Sequence, residues 1–194
     1  MEKLIIIIFL ASFIISGCAP NKIAIMSVEG RNDVFQNAAY NEQVPVGFAV
    51  LTIVSTLKIR ESGGFLWSKP PHGTPEQSLL LNIDGQITRV RGDLTKEQTK
   101  SGKPWNPEAG KGIRYFFEEK LRLKPGRHRV FAALPQNEVY FDREIAIRED
   151  TDNILELVPV YGKRKVGRLP DINAETSFYE GIRGFRGYLN GKEI

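Results

Sequence analysis

Side chains that carry out chemistry are scarce in this chain: its 194 residues include one cysteine, two histidines and two tryptophans. With Cys18 as the only cysteine, the chain forms no internal disulfide, and a zinc site built from several cysteines is excluded. The sequence has no His-Glu-x-x-His pair, no Gly-x-Ser-x-Gly elbow and no glycine-rich loop that would cradle a phosphate. These absences predict that the protein is not an enzyme and holds neither a metal nor a cofactor.

The remaining candidates for chemistry are His128, the adjacent pair Glu118 and Glu119, and the oxygen-rich residues 150–153. His128 follows a Pro-Gly turn and is interpreted as a hydrogen-bonded turn residue rather than as a ligand or a base. Neighbouring residues on a strand point to opposite faces, so Glu118 and Glu119 are not expected to act as a carboxylate pair. Residues 150–153 are interpreted as a turn between strands rather than as a calcium site. A hydrolase site around His128, Glu118 or Glu119 is the least favoured alternative.

An apolar run occupies residues 4–15 and is followed by a short polar break that ends at Cys18. Crossing a bilayer takes about 20 apolar residues, so a run of about a dozen is too short for a comfortable span. Its length is typical of the hydrophobic region of a secretory signal. The sequence therefore predicts export, with residues 1–17 as the signal peptide.

The four residues Ile15-Ser16-Gly17-Cys18 resemble the lipobox of bacterial lipoproteins: an aliphatic residue, two small residues and a cysteine. The resemblance implies cleavage before Cys18, diacylglycerol on the Cys18 thiol and acylation of the new amino terminus. An ordinary cleaved signal and an uncleaved anchor are the alternatives. Ala19, rather than aspartate, follows the cysteine, and in double-membraned bacteria this implies sorting to the outer membrane, facing the periplasm.

The chain is moderately basic, with 27 lysines and arginines, 23 aspartates and glutamates, and a formal net charge of +4. Such a charge suits a surface that faces anionic lipid or anionic polysaccharide. Residues 18–43 are polar and irregular, and they are predicted to form a lipidated tether or an edge decoration of the folded domain. Within them, Asn32 is a candidate N-cap for a short helix that ends at Ala39.

Closely spaced β-strands are predicted between residues 44 and 162. Asp84-Gly85 is a two-residue linker typical of a tight hairpin and joins the runs 79–83 and 86–90. The other β-branched and aromatic runs are separated by turns rich in proline, glycine, aspartate and asparagine. They occupy residues 46–59, 113–123, 128–134, 139–147 and 154–161. In the run 113–123, alternation places Ile113, Tyr115 and Phe117 on one face. The pattern predicts an all-β fold, a single antiparallel β-sandwich of the immunoglobulin or transthyretin kind, with little helix after the signal peptide.

The segment Leu121-Arg-Leu-Lys-Pro-Gly-Arg-His-Arg-Val130, preceded by Ile83-Asp84-Gly85, resembles the core of PEGA-type domains. These are small β-sandwiches, often found on bacterial envelope proteins, in which a histidine begins the strand after a Pro-Gly turn. Proline sets φ for the first turn position and glycine accepts the left-handed value after it, so the turn closes without strain. The resemblance covers residues 79–133 and implies a sandwich without catalytic residues.

Two segments rich in proline and glycine, residues 61–78 and 92–112, are predicted to be long loops. They carry the two tryptophans, Trp67 and Trp105. Aromatic rings presented on loops stack on sugar faces, so both residues are candidates for binding peptidoglycan or a surface glycan. The alternative is that each ring covers an open end of the sandwich.

Glycine recurs every third residue at Gly181, Gly184 and Gly187, with Arg183 and Arg186 between these glycines. A period of three fits neither a helix nor a flat strand and indicates an extended polyproline-like or kinked conformation. Residues 163–194 are therefore predicted to be a basic segment that docks on the protein's own sheet. Alternatively, Arg183 and Arg186 contact an anionic partner such as lipid headgroups; export argues against nucleic acid.

The sequence as a whole predicts a non-enzymatic lipoprotein of the cell envelope, held at a membrane through Cys18. Its β-sandwich is expected to bind an envelope protein or polysaccharide or to have a structural role there. A carbohydrate-binding module that uses Trp67 and Trp105 is the first alternative, and an envelope hydrolase is the second.

Overall fold

The computed structural model describes residues 22–28, 30–39, 43–60, 77–99, 106–149, 152–163 and 176–194. Within these residues the chain forms eleven β-strands in two sheets, one five-residue α-helix, α1 (Lys22–Met26), and two single 3₁₀ turns. The all-β, sandwich-like fold predicted from the sequence is confirmed. Each expected strand is present, with bounds that differ by a few residues.

The larger sheet has seven strands, β1 (Phe35–Asn37), β2 (Ala49–Ile59), β5 (Asp93–Thr99), β6 (Gly110–Leu123), β9 (Asp152–Tyr161), β10 (Ile182–Leu189) and β11 (Lys192–Glu193). Their spatial order is β1-β6-β2-β9-β10-β11. β5 pairs with the first residues of β6 and β1 with the last, so these two strands share one edge of β6. The pairs are antiparallel except β2 with β9, which is parallel. The expected purely antiparallel sandwich therefore contains one parallel pair.

The smaller sheet has four strands, β3 (Ser78–Ile83), β4 (Gln86–Arg91), β7 (Gly126–Leu134) and β8 (Val139–Ile147), in the order β4-β3-β7-β8. The predicted hairpin joins β3 to β4 through Asp84 and Gly85, with φ values of +48° and +96°. Two positive φ values in a row give the tight turn whose twist matches that of paired strands, and aspartate and glycine tolerate them. The local sequence thus fixes the register of the hairpin.

The main core lies between the two sheets and is filled by alternate residues of each strand. On β6, Ile113, Tyr115 and Phe117 point inward, as the sequence predicts, and the rings of Tyr115 and Phe117 stack with centroids 6.1 Å apart. Leu121 and Leu123 continue the same face. Apolar burial of this kind is the main source of folding free energy.

Gly92 forms the corner at which the chain leaves the smaller sheet and enters the larger one, between β4 and β5. A Cβ atom there would lie 2.8 Å from the Phe117 ring and 3.0 Å from the Tyr115 ring. The expected loop over residues 92–112 is therefore wrong in its first half, because residues 93–99 form β5. An edge strand is held by main-chain hydrogen bonds and tolerates polar, charged side chains, so its sequence lacks apolar alternation.

Residues that precede β2 contact both sheets. Ile23 of α1 packs on the outer face of the smaller sheet with Leu80, Phe131 and Ala133. β1 then pairs with β6 at the edge of the larger sheet. The described part of residues 18–43 therefore forms an edge decoration of the folded domain.

The expected helix from Asn32 to Ala39 is replaced by bends and by β1. The side chain of Gln86 accepts hydrogen bonds from the main-chain N–H groups of Val34 and Phe35 at 2.7 and 3.0 Å, and donates one to the Phe35 carbonyl. Phe35 is buried in the main core. These tertiary contacts, which a local capping signal does not report, require an extended chain.

The glycine-rich C-terminal segment forms strand β10, which pairs with β9 with one irregularity in the register, so the polyproline-like interpretation is wrong. The sheet thus extends to Glu193, past the boundary expected at residue 162. Gly181, Gly184 and Gly187 occupy three different structural environments. Gly181 has φ +78°, Gly184 follows an irregularity in the register, and a Cβ at Gly187 would lie 2.4 Å from the Phe141 ring of β8. Gly187 therefore lets the edges of the two sheets approach.

We expect Gly187→Ala to lower the free energy of unfolding by about 1–3 kcal/mol, because the new methyl group overpacks against Phe141. Gly184→Ala is the matched control, since nothing lies within 4 Å of a Cβ at that position. Urea denaturation of both variants measures the difference. Equal stability of the two variants would show that Phe141 does not close the sandwich in this way.

Candidate functional site

A buried lysine lies at the end of β2, on the outer face of the larger sheet. The side chain of Lys58 is 0% exposed. Its Nζ donates hydrogen bonds to the main-chain carbonyls of Glu108 at 3.0 Å and Gly110 at 2.7 Å, and lies 3.3 Å from Glu97 Oε1. The Phe178 ring is 5.0 Å from the same nitrogen. An ammonium group removed from water needs such partners, because burying an unpaired charge is costly.

Two carboxylates, an arginine and a tyrosine complete this group, which we call the Lys58 cluster: Lys58, Glu97, Glu108, Arg114 and Tyr161. Arg114 bridges the two carboxylates, with Nη2 2.7 Å from Glu97 Oε1 and 2.7 Å from Glu108 Oε2. The Tyr161 hydroxyl donates to Glu108 Oε1 at 2.6 Å and accepts from the Lys58 main-chain N–H at 2.8 Å. The cluster holds two cations and two anions, so its charges balance.

The environment of the cluster perturbs three of its groups. Burial lowers the pKa of Lys58. The hydrogen bond to Glu97 raises the pKa of Arg114. Burial opposes this effect, and the hydrogen bond to Glu108 adds to it. Burial raises the pKa of Tyr161, which therefore stays a protonated donor. Perturbed groups are typical of functional sites, but ion-pair networks perturb pKa values as well. Here the polar atoms contact one another, so the cluster fastens β2, β5, β6 and β9 together.

Gly112 makes room for the buried lysine. A Cβ at this position would lie 2.7 Å from the Ile59 carbonyl oxygen, 2.8 Å from the Phe178 ring and 2.9 Å from Lys58 Cε. The cluster is not apparent from the sequence, because a single lysine between Leu57 and Ile59 has the pattern of an outward, solvated residue of a strand. No local pattern connects Lys58 to carboxylates about 40 and 50 residues away in the chain.

The cluster lies at what we call the loop end of the sandwich, where β2, β5 and β9 finish and β6 and β10 begin. Segment 100–105 directly follows β5. Segment 61–76 begins after the one residue that follows β2, and segment 164–175 after the two residues that follow β9. The candidates Trp67 and Trp105 fall in the first two segments and lie outside the described residues, as does Cys18. A cleft lined by Arg60, Asn137, Phe178 and Tyr179 opens at the same end.

The turn histidine lies far along the chain from its main partner but close to it in space. His128 Nδ1 is 2.7 Å from Asp84 Oδ2, and Nε2 is 2.8 Å from the Lys124 carbonyl oxygen. Asp84 Oδ1 also accepts the Arg129 main-chain N–H at 2.8 Å. Both ring nitrogens are therefore engaged, and the two elements of the PEGA-like segment, the Asp-Gly turn and the histidine, are brought together.

The other candidates are dispersed over the sandwich. Glu118 is exposed, whereas Glu119 alternates to the inner side, where burial raises its pKa. Arg183 and Arg186 are exposed on β10. Arg186 lines a cleft between the edges of β8 and β10, which also includes Lys22 and Arg143. Among the described residues, neither Glu118 nor Glu119 forms a hydrogen bond or an ion pair with His128, whose partners are Asp84 and Lys124.

Where the chain is described, it has no helix long and apolar enough to span a bilayer. The same residues include no group of three or more His, Cys, Asp or Glu side chains placed to hold a metal ion. Comparison of the chain with protein-family models, curated proteins and solved structures found no match in any of the three. The lipobox and PEGA-type resemblances stay predictions.

We expect Lys58→Met to destabilise the protein by roughly 3 kcal/mol, because removing one member of a buried ionic group leaves its partners uncompensated. The matched control is Lys192→Met on β11, an exposed lysine whose loss should change stability by less than about 0.5 kcal/mol. Thermal and urea unfolding measure both. If Lys58→Met is as stable as the control, the cluster does not hold the loop end together.

Proposed function

We propose that this protein is a lipid-anchored lipoprotein of the cell envelope with a non-enzymatic binding or structural role. The observation that carries the proposal is the lipobox Ile15-Ser16-Gly17-Cys18, followed within a few residues by a chain that is docked on a β-sandwich. Acyl chains on Cys18 hold the sandwich at the membrane, and the residue after the cysteine, Ala19, favours the outer membrane, on its periplasmic side.

The short link between anchor and fold supports the proposal. Ala19, Pro20 and Asn21 are the three residues between Cys18 and the first residue of α1. Fully extended, the four peptide units from Cys18 to Lys22 span at most about 14 Å. Lys22 is itself fixed, since its Nζ lies 2.6 Å from Asp142 Oδ2 and 4.9 Å from the centre of the Tyr140 ring. The sandwich would therefore be held directly at the membrane surface.

The described titratable groups lack the arrangement that the hydrolase alternative needs. The Lys58 cluster is balanced in charge and bonded to itself, so its donors are engaged within the protein. His128 has both nitrogens engaged, and Glu118 and Glu119 occupy opposite faces. A hydrolase needs a base with access to substrate, so this arrangement gives the hydrolase alternative no support.

We expect Cys18→Ser to leave the protein with its signal peptide attached and unlabelled by fatty-acid probes in growing cells. Because Cys18 is the only cysteine, no other thiol can take the lipid. Metabolic labelling and intact-mass measurement compare the variant with the unaltered protein, which should carry label and have lost residues 1–17. Unchanged processing in the variant, or an unmodified Cys18 in the unaltered protein, would refute the lipoprotein assignment.

A carbohydrate-binding module is the second candidate, and the loop end favours it. Arg60, which directly follows β2, and Thr99, the last residue of β5, are the described residues that precede the segments of Trp67 and Trp105. The Lys58 cluster holds the ends of these two strands together. A sandwich with binding loops at one end is a common arrangement, because loops vary while the strands hold them in place.

For this candidate we expect tryptophan fluorescence to change on titration with soluble peptidoglycan fragments. Both tryptophans lie in the two segments at issue, so the signal reports on them alone. Trp67→Ala or Trp105→Ala should weaken binding about two- to tenfold, as the loss of one aromatic contact does. Trp67→Phe and Trp105→Phe, which keep a ring, are the controls. A fluorescence signal unaffected by any fragment would exclude this use of the tryptophans.

A further inference from the structure

The outer face of the smaller sheet has an apolar centre that α1 covers. The strand register places Leu80 of β3 beside Ala133 of β7, and Asn82 beside Phe131. Ile23 of α1 packs on this centre, and the Asn82 side-chain amide donates to the Met26 carbonyl at 2.8 Å. Lys22 at the other end of α1 pairs with Asp142 of β8. The helix therefore crosses the strands, from the β8 edge towards β4, in a fixed position.

Two large apolar side chains lie on the uncovered side of this segment. Ile25 is 54% exposed and Val28 is 70% exposed, whereas Ile23 in the same segment is 7% exposed. Single exposed apolar residues are ordinary, but these two are three residues apart, one on α1 and one just after it, and are joined by a main-chain hydrogen bond. They also lie in the part of the described chain that is nearest to Cys18 in the sequence.

Basic residues lie on the same outer face of the smaller sheet that α1 crosses. Arg89 and Arg91 are exposed on the outer face of β4, and Arg127 and Arg129 on that of β7. With Lys22, five cations share this face with two carboxylates, Asp142 and Glu144, among the described residues of its four strands and α1. The carboxylates pair with Arg127, Arg129 and Lys22, so Arg89 and Arg91 carry the excess positive charge.

We propose that this face lies against the anionic headgroups of the membrane that holds the acyl chains, an inference that rests on the proposed function. Ile25 and Val28 then reach the membrane interface, and Arg89 and Arg91 lie over the headgroups. Apolar residues flanked by basic ones are the composition of surfaces that bind at a membrane interface. The link of about 14 Å keeps the face near the bilayer, where attraction to anionic lipid acts over about 8 Å at physiological salt.

Two matched cysteine variants test the orientation in the full, acylated protein. Ile25→Cys labels the proposed membrane-facing side. Ile154→Cys labels the outer face of the larger sheet, where Ile154 is 46% exposed. Because the native cysteine is acylated, each variant offers one thiol for a fluorophore. The protein is placed in vesicles of phosphatidylcholine and phosphatidylglycerol that contain nitroxide-labelled headgroups.

We expect the nitroxide lipids to quench the probe at position 25 severalfold more than the probe at position 154. Equal quenching, or stronger quenching at position 154, would overturn the proposal. Mass spectrometry of the same samples separates the two levels of inference. An unmodified Cys18 contradicts the proposed function, whereas an acylated Cys18 with equal quenching contradicts only the membrane-facing assignment.

Charge variants test the electrostatic part. Arg89→Gln with Arg91→Gln should reduce the severalfold quenching preference at position 25 towards equal quenching, and only when the vesicles contain phosphatidylglycerol, because basic residues are attracted to an anionic surface. Arg183→Gln with Arg186→Gln removes the same charge from β10 and should leave the preference unchanged. A larger effect from the β10 pair would assign the membrane-facing side to the edge of the larger sheet instead, and would overturn the proposal.

Discussion

Strand β6 pairs with β2 along eleven residues on one side and with β5 and then β1 on the other. Its inward rings, Tyr115 and Phe117, limit how much space is left for the segments that pack against them. Gly92 turns the chain from one sheet to the other in contact with these rings, and no larger residue fits there without displacing them. On its outer side, β6 contributes Arg114 to the Lys58 cluster. The core, the corner between the sheets and the loop end therefore all depend on the placement of this one strand.

Features set by neighbours in the sequence were predictable, and features set by distant partners were not. Asp84-Gly85 gave the hairpin, and alternation gave the inward face of β6 and the full extent of β8. β5 was missed because the edge of β6, and not an apolar pattern of its own, makes residues 93–99 extended. The helix expected at Asn32 fails for a similar reason, since the Gln86 side chain takes the main-chain groups of residues 34 and 35.

The candidate site divides in the same way. A lipobox is a local pattern and can be recognised in any sequence, whereas the Lys58 cluster joins strands that are far apart in the chain. A lysine at an outward position looks solvated until segment 106–109 and Phe178 are placed over it. The charged groups are likewise of two kinds, those paired with one another and those without a carboxylate partner among the described residues. Charges that balance one another inside the fold hold it together, whereas the arginines of β4, which lack carboxylate partners among the described residues, keep their capacity to attract an anion.

The described residues before β2 contact both sheets and are part of the fold. α1 covers Leu80, Phe131 and Ala133 on one sheet, and β1 shields part of an edge of the other. A chain without these residues would expose an apolar face and unpaired main-chain groups, both of which favour aggregation. Because α1 begins four residues after Cys18, the acylation proposed there would attach the lipid close in sequence to a segment that is fixed on the smaller sheet.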